Sequence, residues 1–141
     1  MTLADVPRDT ALDTLARTIY GEARSEGIAG MTAVAAVIVN RANHPRWWGH
    51  DISNVCTTPW QFSCWNANDP NLPKLEAVTD ADPAFAPALD IAARAVGGLL
   101  PDPTNGATSY YDVSMLQHSP YWSQGREPCA KIGRLIFYRD V

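Results

Sequence analysis

Of the fifteen acidic residues in this chain only four are Glu, and two of those, Glu22 and Glu26, stand within five residues of each other. Leu12, Leu15, Ala16, Ile19 and Tyr20 recur at helical spacing, which predicts a first helix from Asp9 to Arg24 with Asp9 or Thr10 able to cap its start. Extending that apolar stripe by its own spacing reaches Glu22, so a carboxylate continues the buried face. Desolvation penalises its anion, and the negative end of the helix dipole near Gly27 repels it. Both effects raise the pKa. A carboxyl that stays protonated near neutral pH suits a general acid, which has to donate a proton to a leaving oxygen. The bland alternative is a solvated Glu at a frayed helix end, paired with Arg24 or Arg17. Glu26 lies one turn further along the same face, where it could tune Glu22, hold a neighbouring loop amide or be solvated.

A second cluster has a different chemistry. Trp47, Trp48, Trp60, Phe62 and Trp65 interleave with Asn54, Gln61, Ser63, Asn66 and Asn68. Sugar rings stack their C–H faces on aromatic rings, and their hydroxyl and acetamido groups need uncharged hydrogen-bond partners. The competing reading is a loop anchored by its own tryptophans, and some of these rings are expected to do that. One helix-end acid beside a polar-aromatic loop points to a glycosidase-type cleft.

The elements that position these residues follow from pattern. Gly27 breaks the first helix, and Ile28 to Ala42 is so apolar that it is expected to be the central core helix. Asn43 to Asp80 is punctuated by Pro45, Gly49, Pro59, Pro70 and Pro73 and is predicted to be a long structured loop. Asp82 followed by Pro83 is expected to cap a third helix, Phe85 to Val96, which stops at Gly97-Gly98. Ala107 to Asp112 and Ile132 to Arg139 are predicted strands. The expected fold is α+β and mainly helical with a small β element. The 141 residues form one catalytic domain in this reading, with residues 1–9 as an N-terminal tail.

Composition narrows the function. Apolar residues make up 46% of the chain and charged residues 18%, which favours a folded core over disorder. Net charge is −4 and the eleven basic residues are scattered, which argues against sequence-independent nucleic-acid binding. No apolar run reaches the ~20 residues needed to cross a bilayer, and the opening MTLADVPRDT lacks the pattern of a secretory signal. Synthesis in the cytoplasm without stable membrane insertion is expected. The spacing of Cys56 and Cys64 would allow a small disulfide loop, the alternative being reduced core thiols, and Cys129 has no obvious partner.

The stretches Ile19-Tyr20-Gly21-Glu22-Ala23-Arg24-Ser25-Glu26 and Ala33 to Arg41 closely resemble the opening of the SleB-type cell wall hydrolases, a family that includes spore cortex-lytic enzymes and similar phage endolysins. The resemblance continues through Val55-Cys56, Pro59 to Asn66, Asp102 to Thr108, Ile132-Gly133 and Phe137-Tyr138, and covers residues 10–139. It implies a lysozyme-like domain that cleaves the β-1,4 bond between N-acetylmuramic acid and N-acetylglucosamine in peptidoglycan, without metal or cofactor. Glu22 matches the catalytic acid. Ser109 and Leu135 depart from the pattern, since histidine is expected at both places in many relatives.

Carboxylate count separates the mechanisms. A hydrolytic muramidase normally uses two carboxyl groups, about 5 Å apart for retention and farther apart for inversion. Glu26, Asp51 and Asp69 are candidates, but no segment forces any of them into a cleft. A lytic transglycosylase needs one acid that later acts as base, so this route is favoured. Trp60, Gln61, Phe62, Ser63, Trp65, Tyr110 and Tyr111, with Glu26, are the expected substrate-binding residues. The partner is a bacterial glycan strand, the protein is expected to be a monomer, and release to the wall in the periplasm is expected to be holin-assisted, as for a phage endolysin. The rivals are a zinc-dependent amidase using His44, His50, Cys56 and His118, which lack the usual ligand spacing, and a noncatalytic glycan-binding domain.

Overall fold

Thr10 starts the first helix, as one of its two possible caps: its hydroxyl accepts the Asp13 amide at 3.2 Å, and α1 runs Ala11–Ala23. The computed structural model describes residues 7–141, so residues 1–6 of the expected tail lie outside it. A single 3-10 turn, Arg24–Glu26, follows, and Gly27 at φ 71 redirects the chain into α2, Gly27–Asn43. That backbone angle favours glycine, which explains why the break falls there. Val34, Val37 and Ile38 of α2 are fully buried beside Leu15 and Ile19 of α1, so α2 is the central helix that its apolar sequence predicts.

The long connection is more ordered than expected. It holds two six-residue helices, α3 at Ile52–Thr57 and α4 at Leu72–Ala77, and a 3-10 turn at Ser63–Trp65. Asp51 caps α3 by accepting the Asn54 amide at 2.8 Å. Pro73 sits in the first turn of α4, where a missing N–H costs nothing. Three side chains, those of Arg17, Trp65 and Arg24, fasten this connection to α1 and the residue that follows it. Arg17 pairs with Asp13 at 3.0 Å and donates to the carbonyls of Leu75 at 2.6 Å and Val78 at 3.1 Å. Trp65 Nε1 donates to Thr18 Oγ1 at 2.9 Å, and Arg24 donates to Asn71 Oδ1 at 2.8 Å.

Helix α5 spans Phe85–Val96 as expected, but its start differs in detail. Asp82 accepts the Ala84 amide at 2.8 Å and Pro83 lies in that turn, two residues before Phe85 opens the helix instead of at its first position. The sheet has three antiparallel strands in the order β1-β3-β2: β1 Ser109–Asp112, β2 Ala130–Ile132 and β3 Leu135–Tyr138. The predicted strand over 132–139 is therefore split, with Ile132 ending β2 and Gly133-Arg134 forming the turn. Ser109 stands opposite Tyr138, and Ala130 opposite Phe137. Leu135 and Phe137 join the helical core, whereas Ile136 and Tyr138 form a second cluster with Tyr111 under Trp122. This alternation makes β3 the buried middle strand. Cys56, Cys64 and Cys129 are all free thiols, so the 56–64 loop is closed by packing and not by a disulfide. The fold is α+β and mainly helical.

Candidate active site

Glu22 occupies the last turn of α1, immediately beyond the fully buried Leu15 and Ile19 stripe. Its pKa is raised above the ordinary carboxylate value. Burial is the main cause, and the Asp69 carboxylate pushes the same way. Hydrogen bonding from the Cys64 amide and thiol and from the Ser63 amide pulls it partly back. The predicted direction and its first cause therefore hold, and the opposing donors come from the aromatic loop.

Glu22 opens into a cavity of about 710 Å³. One wall is the loop Trp60, Gln61, Phe62 and Ser63, and the opposite one is β1, from Ser109 to Asp112, with Met115, Pro120 and Trp122 beyond it. Arg41 and Trp47, at and just after the end of α2, close the side. Trp60 is 86% exposed and sits at φ 69, an unusual backbone angle for a bulky residue, which turns its indole outward at the rim. Trp47 is 60% exposed at the same cavity. Two free indoles beside a half-buried acid give flat apolar faces where a sugar ring could stack.

The other aromatic residues have different jobs. Trp48 is buried and donates its Nε1 to the Arg41 carbonyl at 3.0 Å. Trp65 fastens the loop to Thr18 and lines a neighbouring hollow with Trp60 and Phe62, not the Glu22 cavity. Phe62 is buried with its ring at the cavity wall. Tyr110 lines the cavity with Glu22 and Arg41: burial raises its pKa well above 10, Glu22 pushes the same way and Arg41 opposes, so the phenol is neutral. Tyr111 is mostly buried, shares a hydrogen bond with Tyr138 at 3.3 Å and packs against Trp122.

Of the other acids considered from sequence, none lines the cavity. Glu26 accepts the Arg134 amide at 3.1 Å and so holds the β2–β3 turn, the second of the three roles open to it. Asp51 caps α3, and Asp69 accepts the Asn71 amide at 2.8 Å. The wall does carry one acid missed from sequence, Asp112. It accepts the Ser114 amide at 2.8 Å and pairs with Arg134 at 3.0 Å, which holds its pKa below the usual range. Arg41, also missed, is nearly buried at the cavity wall. Ser109 donates toward the Val141 carbonyl at 3.4 Å and lines the cavity, while Leu135 is in the core. His44, His50, Cys56 and His118 are not brought together, and among the described residues no three His, Cys, Asp or Glu side chains converge into a possible metal site.

Comparison with known proteins agrees with this architecture. The spore cortex-lytic enzymes of Halalkalibacterium halodurans and Bacillus subtilis are 34% and 33% identical to the chain over 92% and 87% of its length. The chain spans about a third of the length of those relatives, 34% and 35% respectively. Among solved structures, the catalytic domain of the germination-specific lytic transglycosylase SleB from Bacillus anthracis superposes with a TM-score of 0.66 at 27% identity, covering 94% of this chain and 98% of that one. The catalytic domain of the Bacillus cereus SleB protein gives 0.69 at 27% identity, covering 94% of each. Residues 25–138, a stretch that holds α2, the aromatic loop and all three strands, match the cell wall hydrolase family, and the chain belongs to that SleB-type family.

Proposed function

We propose that the chain cleaves peptidoglycan glycan strands as a lytic transglycosylase, at the β-1,4 bond between N-acetylmuramic acid and N-acetylglucosamine, with Glu22 as its acid and base. The observation that carries this reading is the state of the two acids at the cleft wall. Glu22 is half-buried with a raised pKa and no ion-pair partner among the described residues. Asp112 is exposed to Arg134 and has both carboxylate oxygens engaged, Oδ1 by the Ser114 amide and Arg134 and Oδ2 by Arg134. A hydrolase would need a second free carboxylate to activate water or attack the sugar. One free acid suits a route in which the nucleophile is the sugar's own hydroxyl.

Protonated Glu22 donates its proton to the glycosidic oxygen, which leaves as the C4 hydroxyl of N-acetylglucosamine while the C1–O bond breaks. The resulting Glu22 carboxylate takes the proton of the muramic acid C6 hydroxyl, and O6 bonds to C1 to close a 1,6-anhydro ring. No water is consumed, and Glu22 ends protonated again. Trp47 and Trp60 would stack on the sugar faces, and Gln61, Ser63 and Tyr110 offer neutral partners for its polar groups. The family match begins at residue 25, so the role of Glu22 rests on its geometry and on the YGEAR resemblance. The Bacillus anthracis relative is a lytic transglycosylase, which supports the same route. Action as a phage endolysin, reaching the wall through a holin pore, completes the proposal and rests on the resemblance alone.

Replacing Glu22 with Gln keeps the side-chain shape and removes the proton. Clearing of a peptidoglycan suspension is expected to fall by about 10²–10⁴-fold with the circular dichroism spectrum unchanged. Clearing at the wild-type rate would move the catalytic role to another residue, and glycan binding by a wild type that cuts no bond would leave a binding domain.

A further inference from the structure

The cleft holds a cation that the proposed bond cleavage does not use. Arg41 is 6% exposed, and so is Arg17, but the two are treated differently. Arg17 has a counter-ion, Asp13, at 3.0 Å. Arg41 has no carboxylate partner among the described residues. Its Nε donates to the Thr108 carbonyl at 2.6 Å, a short bond that ties α2 to the start of the sheet. Its terminal nitrogens make only long contacts, 3.3 Å to Gln61 Oε1 and 3.4 Å to Ser109 Oγ.

A guanidinium offers five N–H groups in a planar fork. Three are accounted for by these contacts, so one on each terminal nitrogen has no acceptor among the described residues. The rings of Trp48 and Phe62 lie 5.4 and 5.6 Å from the guanidinium carbon and keep water off its faces. Burial lowers its pKa to about 10, which still leaves it charged at neutral pH. A desolvated cation without a counter-ion is costly, and an anion that enters the cavity would relieve that cost. Arg41, Glu22 and Tyr110 all line the same cavity.

We propose that Arg41 forms a carboxylate-binding subsite of the cleft, which seats an anionic group carried by the muramic acid portion of the strand. The inference rests on the glycan-cleft reading above and names what that cleft selects. Peptidoglycan supplies this chemistry from two sources: the lactyl carboxylate of a muramic acid without its peptide, and the carboxylates of the stem peptide. A strand with no carboxylate would lack the contact.

Titration calorimetry on the full chain carrying Glu22→Gln tests this, because binding is then read without turnover. The probes are soluble peptide-stripped strands and peptide-bearing strands, each as the free acid and as the methylamide. At least one free-acid form is expected to bind roughly tenfold or more tightly than its methylamide, the scale of a lost charge-assisted hydrogen bond. A preference within the stripped pair assigns the lactyl carboxylate, and one within the peptide-bearing pair assigns the stem. Adding Arg41→Met is expected to abolish the preference, with Arg41→Gln as the second variant should the first not fold. Equal affinity for acid and amide in both pairs, absence of binding included, overturns the proposal, as does a preference that survives loss of Arg41. Failure of the parent reading shows separately, as wild-type protein that leaves every strand uncut.

Discussion

Glu22 holds its proton more tightly than an ordinary carboxyl because burial favours the neutral form, and this couples its proposed chemistry to stability. Its folded pKa lies above the ordinary 4.5, so the folded chain binds that proton more tightly than the unfolded chain does. The stabilisation is complete below the ordinary value and is lost as pH rises through the raised one. Glu22→Gln is neutral throughout, so it is expected to melt at a higher temperature than wild type at about pH 7, with the gap closing below about pH 4. A Tm at or below that of wild type at neutral pH would contradict the raised pKa. The residue was legible in sequence because a carboxylate that continues an apolar stripe is both periodic and physically costly. Arg41 and Asp112 were not. One charged side chain in a helix or strand reads as solvated, and only the fold shows that Arg41 lacks an acid and that Asp112 has found Arg134. Likewise, a run of tryptophans does not say which ring anchors and which stands free, and Trp60 and Trp65 took opposite parts.

Among the elements, α1 carries the acid and the loop at Ser63–Trp65 sets its environment, so their close approach is critical. Gly21 makes that approach possible. A β-carbon there would stand 2.8 Å from Cys64 Cβ and 2.9 Å from Leu75 Cδ2, inside normal contact distance for both. Gly21→Ala is expected to destabilise the fold by about 1–3 kcal/mol, the usual cost of overpacking, and to slow cleavage by displacing the Cys64 amide from Glu22. Urea unfolding checks it, and an unchanged midpoint would mean that the helix and loop are free to separate. Helix α1 was readable from its repeating apolar face, α2 from the length of its apolar run, and α5 from the signals at its two ends. At six residues, α3 and α4 fall short of two full turns, and the polar residues of both, with Pro73 in α4, look like loop. Strand β2 has three residues and exists through its pairing with β3, which no local pattern reveals.

Over the whole molecule, the cleft is assembled from segments far apart in the chain: the end of α1, the end of α2, the aromatic loop and β1. In sequence, residue chemistry already set the α1 acid beside the aromatic loop and the family resemblance added Tyr110 and Tyr111 of β1, whereas the part played by the end of α2 shows only in the fold. No helix among the described residues is long and apolar enough to cross a membrane. On the endolysin reading, lysis of a host culture is expected only when a pore-forming holin is expressed alongside the chain. Lysis by the chain expressed alone would contradict holin-assisted release. The central claim concerns one free acid in the cleft and the product that one acid can make. Mass spectrometry of wild-type digests of purified peptidoglycan tests it most directly: fragments ending in 1,6-anhydromuramic acid are expected, and reducing muramic acid ends with no anhydro product would contradict it.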